Sequence, residues 1–383
     1  MKLSRIIALL VASAALTAGA CLYAAPTVII TIDVESNSGS TLPDQIETTC
    51  PGGTPCGLME IAHTLQQRQI AGTFFLNVYE YRRWGEDVMR GIVQKLQIAG
   101  QDVALHTHPQ WTNDPNRNGM HQYSLEEQTS IVRDGVRLLS AWSGHPVVAH
   151  RAGDYAADER TLKALEANGV HVDSSLFWGH PKSQLAQQGL PRNLPSYRGK
   201  VLEIPVTVYE RRERPRLFGD ISPPLSRIQK VDVDWLLDEE EAKAAVDAVV
   251  RADLPFLVVF LHSFSFLAAN TSDGAPVANR KSQPILAAIL DRVAEKRLLI
   301  VTMRDLASGN EGLAPPQSPD VVPVVDVRVS PQRYLWHALR ARETRVLMAV
   351  GTAFALLLAI AAFLVARIWN GKPKSDLATG QHL

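Results

Sequence analysis

Along most of the chain, short apolar runs alternate with segments whose apolar residues recur every three or four positions. Val28 to Val34 is the first run and predicts a strand. Leu58, Ile61, Ala62 and Leu65 then fall on one face of a helix. Gly72 to Val78 predicts a second strand, Val88, Ile92, Val93 and Leu96 a second helix, and Asp102 to His106 a third strand. Ser124-Leu125-Glu126-Glu127 supplies a capping Ser and first-turn acids for a helix that runs on towards Trp142. Further strands are expected at Val147 to His150, Val170 to Ser174, Val201 to Tyr209, Phe256 to His262 and Leu298 to Thr302. Further helices are expected at Asp158 to Asn168, Asp238 to Ala252 and Gln283 to Lys296. Strands separated by helices imply parallel pairing through crossovers. Seven or eight such units over about 280 residues suit a distorted (β/α)7-8 barrel, with chemistry at the carboxyl ends of its strands.

The two ends follow another pattern. Lys2 and Arg5 precede an apolar run from Ile6 to Leu16, and Ala18-Gly19-Ala20 follows. That order reads as a secretory signal peptide within residues 1–25, either cleaved or kept as an anchor. Cys21, directly after Ala20, leaves lipoprotein processing open. Val346 to Ala366 carries no charge and has the length needed to cross a ~30 Å hydrocarbon core, so a C-terminal transmembrane helix is expected at 346–366. Arg367, Lys372 and Lys374 suit a cytoplasmic tail at 367–383. Arg333, Arg340, Arg342 and Arg345 lie on the other side, so charge alone does not set orientation; the export signal does. The reading is a domain at 27–308 outside the cytoplasm, a linker at 309–345, and one span in the cytoplasmic membrane.

Composition narrows the partners. The formal net charge is zero and 46% of residues are apolar. A core can be buried, and no basic stripe points to nucleic acid. Cys50 and Cys56 bracket Pro-Gly-Gly-Thr-Pro; they either pair in an oxidising compartment or remain two thiols. His63 alone is too little for a zinc site there. The Pro- and Arg-rich stretch from Gly179 to Lys230 is either an excursion over the barrel mouth or a charged surface loop.

The chemistry-bearing residues gather at expected strand ends. Asp33 and Glu35 close the first strand, His106 and His108 the third, Arg151 and Asp154 the fourth, and His262 the strand that starts at Phe256. Two imidazoles one residue apart can share a metal if the chain bends, and Pro109 favours the bend. Asp33 and Glu35 share a strand face, so one can ligate and the other act as base. Arg151 can hold a carboxylate ionised, Gly153 can allow close backbone approach, and His262 can protonate a leaving amine.

Thr31-Ile32-Asp33-Val34-Glu35, His106-Thr107-His108-Pro109, Arg151 to Tyr155, Asp173-Ser174-Ser175 and Leu261-His262-Ser263 occur in the order of five motifs of the NodB-type polysaccharide deacetylases. The stretch from Thr27 to Leu306 thus resembles carbohydrate esterase family 4, in a divergent branch found with surface-polysaccharide genes. Leu42 to Glu47 and Tyr123 to Gln128 add to that resemblance. It implies Asp33 as general base, or as a ligand if the site has shifted. It implies Glu35, His106 and His108 as ligands of a divalent metal, with zinc favoured. Arg151 braces the base, a backbone amide near Tyr155 binds the oxyanion, and His262 is the general acid. The implied substrate is a carbohydrate, an N-acetylated or N-formylated amino sugar on a polymer or lipid carrier, with polysaccharide-assembly machinery as a partner. Two departures stand out. Glu35 replaces the usual Asp, and the His pair has one intervening residue instead of three, so that Gln110 falls where the second His is usual. Trp111, Phe177, Trp178 and Phe264 are candidate sugar-stacking residues. Two other readings are a metal-dependent phosphoesterase, whose H-x-H pair normally ends the first strand, and a catalytically silent glycan-binding barrel.

Overall fold

The computed structural model describes residues 25–36, 48–50, 53–111, 114–217, 219–269, 276–309 and 318–341, with a few positions between 351 and 364. The expected signal peptide at 1–25 lies almost wholly outside the described residues, as do Leu42 to Glu47, most of the expected span at 346–366 and the tail at 367–383. Among the described residues no helix is long and apolar enough to cross a membrane. The chain divides into two compact units: residues 1–210 with 228–325, and residues 211–227 with 326–383.

In the first unit the strand–helix alternation is realised. Strand β1 (Thr27–Val34) is followed by α1 (Leu58–Gln67), β2 (Thr73–Asn77), α2 (Glu86–Ile98), β3 (Asp102–Thr107) and α3 (Leu125–Ser143). Then come β4 (Ala149–Ala152), α4 (Glu159–Ala167), β5 (Val172–Asp173), β6 (Ser196–Arg198), β7 (Val201–Glu203), β8 (Val208–Pro215) and β9 (Leu225–Lys230). After these come α5 (Glu239–Arg251), β10 (Phe256–His262), α6 (Ser282–Glu295), α7 (Met303–Gly309) and β11 (Val324–Val329), and α8 (Pro331–Ala341) belongs to the second unit. The caps read from sequence form as expected: Ser124 and Glu127 make a reciprocal capping box on α3, and Gly144 ends that helix in the left-handed region at φ 72°. Cys50 and Cys56 form a disulfide.

Eight strands make one sheet in the order β10–β1–β2–β3–β4–β5–β7–β6. All neighbours are parallel except β6 and β7. The sheet curls into a half-barrel, and no strand ladder among the described residues closes it. Its ends meet through irregular chain instead. Val231 N–H donates to Thr207 O, Phe260 N–H to Val231 O, and Val258 N–H to Thr207 Oγ1 at 2.8 Å. The distorted barrel is thus realised as an open half-barrel, and the single strand expected from Val201 to Tyr209 is corrected. Pro205 lacks the N–H a ladder needs, and the run breaks into β7 and β8. Leu298 to Thr302 gives only one bridge, Val28 to Ile300.

The inward side chains stack in layers. Ile29, Phe75, Ala104, Ala149, Val172, Leu202 and Val258, one from each curved strand, form the lower layer. Met303, Leu306 and Ala307 of α7 pack against it and plug that end. The barrel floor is thus solid, and the next layer up is where polar groups begin.

On the outer face a buried polar chain crosses four strands. Thr107 Oγ1 lies 2.9 Å from His150 Nε2, and His150 Nδ1 lies 2.7 Å from Asp173 Oδ1. Glu203, beside Asp173, accepts from Leu176 N–H at 2.8 Å. Burial, then the charge of Asp173, pushes the Glu203 carboxyl well above its ordinary value near 4.5. A carboxyl raised on folding stabilises the fold below its ordinary value, and that contribution is lost as pH rises through the folded value. Glu203→Gln keeps the acceptor for Leu176 and removes the titration. Its thermal stability should fall less than wild type as pH rises above the ordinary carboxyl value near 4.5; parallel curves would show that Glu203 does not carry the effect.

In the second unit, Glu213 is buried among basic side chains. Arg227 Nη2 lies 2.9 Å from Glu213 Oε1, and His337 Nδ1 contacts Oε2. The strands β9–β8–β11 form a three-stranded sheet. The stretch expected as a linker, 309–345, therefore contains a strand and a helix. Val327 and Val329 are buried while Asp326 and Arg328 are exposed, the alternation of a half-buried strand.

Candidate active site

Parallel register sets the site. Asp33 is level with His262, Asn77 with His106, and His106 with Arg151. Because side chains alternate along a strand, the inward set Ile29-Thr31-Asp33 on β1 rises from the apolar floor to the mouth. Ala104-His106-His108 does the same on and beyond β3, and Ala149-Arg151-Gly153 on and beyond β4.

Among the described residues, Glu35, His106 and His108 bring their ligand atoms within 4.8 Å of one another. His106 Nδ1 lies 2.9 Å from Arg151 O. A carbonyl only accepts, so Nδ1 carries the hydrogen and Nε2 keeps its lone pair turned into the site. Nε2 of His106 and Nε2 of His108 are both buried and make no hydrogen bond. Glu35 Oε2 is 3.4 Å from His106 Nε2 and in contact with His108 Nε2. Burial opposes charge on His108, but Glu35 beside it lifts the ring to about 9. Burial likewise raises Glu35, yet His108 and His106 hold its carboxyl well below the usual range. Two imidazole nitrogens without hydrogen bonds and one carboxylate beside them fit a divalent cation.

Asp33 and Arg151 lie beside this group. Arg151 is fully buried, its Nη1 donating to Asp33 Oδ1 at 2.8 Å and Thr31 Oγ1 at 3.1 Å. Nε and Nη2 donate to O and Oγ of Ser174, each at 3.0 Å. The guanidinium sits over the Phe75 and Phe260 rings, 4.4 and 5.0 Å from their centroids. Four of the five N–H donors have acceptors, and two aromatic rings lie against the cation. Asp33 Oδ2 stays 3.9 Å from His106 Nε2, on the open side.

His262 approaches from β10, its Nε2 3.7 Å from Glu35 Oε1. Asp234 Oδ2 lies 3.8 Å behind its Nδ1, an ion-pair distance and too long for a hydrogen bond. Burial disfavours the charged ring, but Asp234 and Glu35 raise its pKa above the ordinary imidazole value. Asp234 is fixed by Ser265 Oγ at 2.7 Å and Ser282 Oγ at 3.2 Å. Phe264 lies flat on His262, with centroids 4.6 Å apart and planes at 12°.

Several functional neighbours were not read from the sequence. Asp234 is one; its partner lies 28 residues downstream on another element (262 − 234), and no local pattern couples them. Glu80 is another. Fully buried, it accepts from Ser36 N–H at 2.9 Å, Asn77 Nδ2 at 3.0 Å and Trp84 Nε1 at 2.9 Å, and so clamps the turn that carries Glu35. Gly153 is close not to open space but to a ligand: a Cβ there would lie 2.3–2.5 Å from His108 ring atoms. Asp154 pairs with Lys182 at 2.6 Å, away from the cluster. Asp173 belongs to the outer polar chain. Gln110 reaches only to 3.4 Å from His108 Nδ1. Among the stacking candidates, Phe177 is buried against His180. Trp111 and Trp178 carry Arg83 and Arg192 near their faces. Trp235, 44% exposed beside Phe177, is an aromatic surface the sequence did not single out.

No protein-family model matches the sequence. Solved structures similar to the chain include polysaccharide deacetylases of carbohydrate esterase family 4, at low identity. A Mycobacterium smegmatis protein provisionally described as a polysaccharide deacetylase is 16% identical, over 79% of this chain and 96% of that one, with a TM-score of 0.49. A family 4 carbohydrate esterase from Streptomyces lividans, in complex with acetate, is 14% identical over 78% and 98%, with a TM-score of 0.37. A CE4-family pseudoenzyme from Bacillus anthracis is 13% identical over 74% and 66%, with a TM-score of 0.41.

Proposed function

We propose that this chain is a divergent carbohydrate deacetylase: a metal-dependent hydrolase that removes an N-acetyl or N-formyl group from an amino sugar of a surface glycan or lipid-linked saccharide. One observation carries the reading. A His106–His108–Glu35 cluster with orphaned ring nitrogens lies between an Arg-braced carboxylate and an Asp-backed imidazole. Amide hydrolysis needs that division of labour: a base for water, an acid for the amine, and a cationic centre for developing charge. The H-x-H pair closes β3, the third strand of the large sheet in chain order, which does not suit the phosphoesterase reading.

Glu35, His106 and His108 would hold the metal, proposed as Zn²⁺. When bound it supplies a Lewis acid for the carbonyl and lowers the pKa of water. Asp33 accepts the proton of the attacking water through Oδ2, while Arg151 keeps Oδ1 engaged and the carboxylate oriented. The backbone at Tyr155 faces the oxyanion. His262 gives its proton to the departing amine, and Asp234 steadies the ring in its charged form. Trp235 and Phe264 offer apolar faces to the sugar.

We place the domain outside the cytoplasm, anchored through 346–366. The apolar sequence there, the exposure of Leu356, Leu357, Ile360, Phe363 and Leu364, and the Cys50–Cys56 disulfide support this. Polysaccharide-assembly machinery is the proposed partner.

The test is acyl release by full-length protein from N-acylated amino-sugar oligomers, before and after chelation. Acetate or formate release should vanish with the metal and return with Zn²⁺, and the activity should sediment with membranes. No metal and no release across a broad glycan panel would favour the silent glycan-binding barrel. Activity in the soluble fraction would remove the anchor.

A further inference from the structure

One buried cation has no part in that scheme. Lys230 ends β9 with 2% of its surface exposed. Its Nζ donates to Tyr155 Oη at 2.6 Å and lies 2.9 Å from Asp232 Oδ2. The ammonium sits 3.2 Å from the centroid of the Phe260 ring and 4.9 Å from that of Trp235. A lysine carries large side-chain entropy and a strongly hydrated charge, so burying it is costly unless each of its donors is used. Here a carboxylate, a hydroxyl and ring faces meet it.

The Tyr155 end explains what the arrangement holds. Asp154 and Tyr155 are consecutive non-glycine residues in the left-handed region, at φ 54° and 56°. Each such residue costs on the order of 1–3 kcal/mol and persists only where its surroundings over-determine it. The turn is fixed at both ends. Gly153 lies against the His108 ring, where a Cβ would not fit. The Tyr155 ring stands edge-on to Phe177 at 5.0 Å and tilted to Phe260 at 5.9 Å, and its hydroxyl ends on Lys230. Burial, then the nearby Asp33 charge, pushes the phenol well above its ordinary value, so it remains a neutral hydroxyl able to accept.

We propose that Lys230 is a positioning residue: through the Tyr155 hydroxyl it locks the left-handed 153–155 turn that backs His108 and presents backbone to the reacting carbonyl. The inference rests on the deacetylase reading for its chemistry, but the lock itself is a property of the fold. Nothing at Lys230 touches substrate, since the side chain is enclosed. Its effect travels through one hydroxyl and one strained turn.

Four variants separate the possibilities. Tyr155→Phe removes only the acceptor. Lys230→Met removes the donor, and Lys230→Met with Asp232→Asn does so without leaving a buried carboxylate unpaired. Amide hydrogen exchange over residues 153–156 should rise by about tenfold or more in each, with exchange in β1 and β3 unchanged. Turnover should fall by about 10–100-fold with KM nearly constant, as expected when a reacting group is misplaced without loss of contacts. Zinc stoichiometry should stay at the wild-type value. The Lys230→Met/Tyr155→Phe double variant should be no worse than either single one. Unchanged exchange at 153–156 in Tyr155→Phe would overturn the lock, as would faster exchange with kcat intact. Faster exchange in a protein whose wild type releases no acyl group would uphold the lock and overturn the deacetylase reading instead.

Discussion

Asp33→Asn should leave the metal bound and lower kcat by about 10²–10⁴-fold, the range for loss of a general base. The geometry makes the two effects separable. Asp33 Oδ1 is taken by Arg151 at 2.8 Å, and only Oδ2 faces the ligand group. Asn can keep the Oδ1 acceptor, so Arg151 need not move. Its guanidinium also retains Thr31 and Ser174. What the variant loses is the capacity to take a proton. Removing the charge does leave Arg151 buried without its counter-ion, and breaking a buried pair costs about 3–5 kcal/mol at full effect. Three remaining acceptors and two aromatic faces should keep the loss below that. Metal analysis beside single-turnover acyl release decides the matter. If zinc is lost with turnover, Asp33 belongs to the ligand set, which its 3.9 Å separation from His106 Nε2 allows with a small shift. Wild-type turnover would remove Asp33 as base altogether.

What could be read from the sequence depended on whether the information was local. Val28 to Val34, Asp102 to His106 and Phe256 to His262 are compact β-branched or apolar runs, and they became β1, β3 and β10 with ends shifted by at most one residue. Their acids and imidazoles could therefore be placed at one end of the sheet. Proline cannot continue a ladder, so Ile204-Pro205 divides the expected Val201 to Tyr209 strand into β7 and β8. The alternation Val325-Asp326-Val327-Arg328-Val329 is visible in the sequence, within a stretch expected as a linker. The residues that tune the site were a different matter. Lys230 ends β9 and Asp234 lies in irregular chain between β9 and α5, and each matters only through a partner on a distant element. Lys230 and Tyr155 stand 75 positions apart. Nothing in the periodicity of either segment announces that pairing. The half-barrel is a further case. The positions of most strands of the large sheet were legible, but closure depends on which edge groups find partners, and here Thr207 and Val231 supply them without forming strands.

Gly153→Ala should abolish metal binding at wild-type affinity while leaving the fold intact. The sequence suggested that Gly153 lets backbone approach a substrate, but its neighbour is His108. An added Cβ would lie 2.3 Å from Cε1, 2.4 Å from Nε2 and 2.5 Å from Nδ1 of that ring. No such contact is tolerable, so ring or turn must move. The turn is the stiffer of the two, because Tyr155 is enclosed by Phe177, Phe260 and Lys230. The His108 ring will therefore swing away, leaving Glu35 and His106 as an incomplete set. Affinity should fall by at least the 10–100-fold, or about 1.4–2.8 kcal/mol, seen when ligand orientation is disturbed. Activity should fall in parallel, unlike the Asp33 variant, where metal and turnover part company. Gly91→Ala is the matched control. It lies within α2 with nothing inside 4 Å of the added carbon, so the substitution should be neutral or stabilise by about 0.5–1 kcal/mol. Calorimetric zinc titration and thermal unfolding of both variants give the answer. Wild-type zinc affinity in Gly153→Ala would show that His108 does not hold the metal where it now stands. The second ligand would then have to be sought among the other polar groups beside the imidazole pair, Gln110 and Asp33 among them.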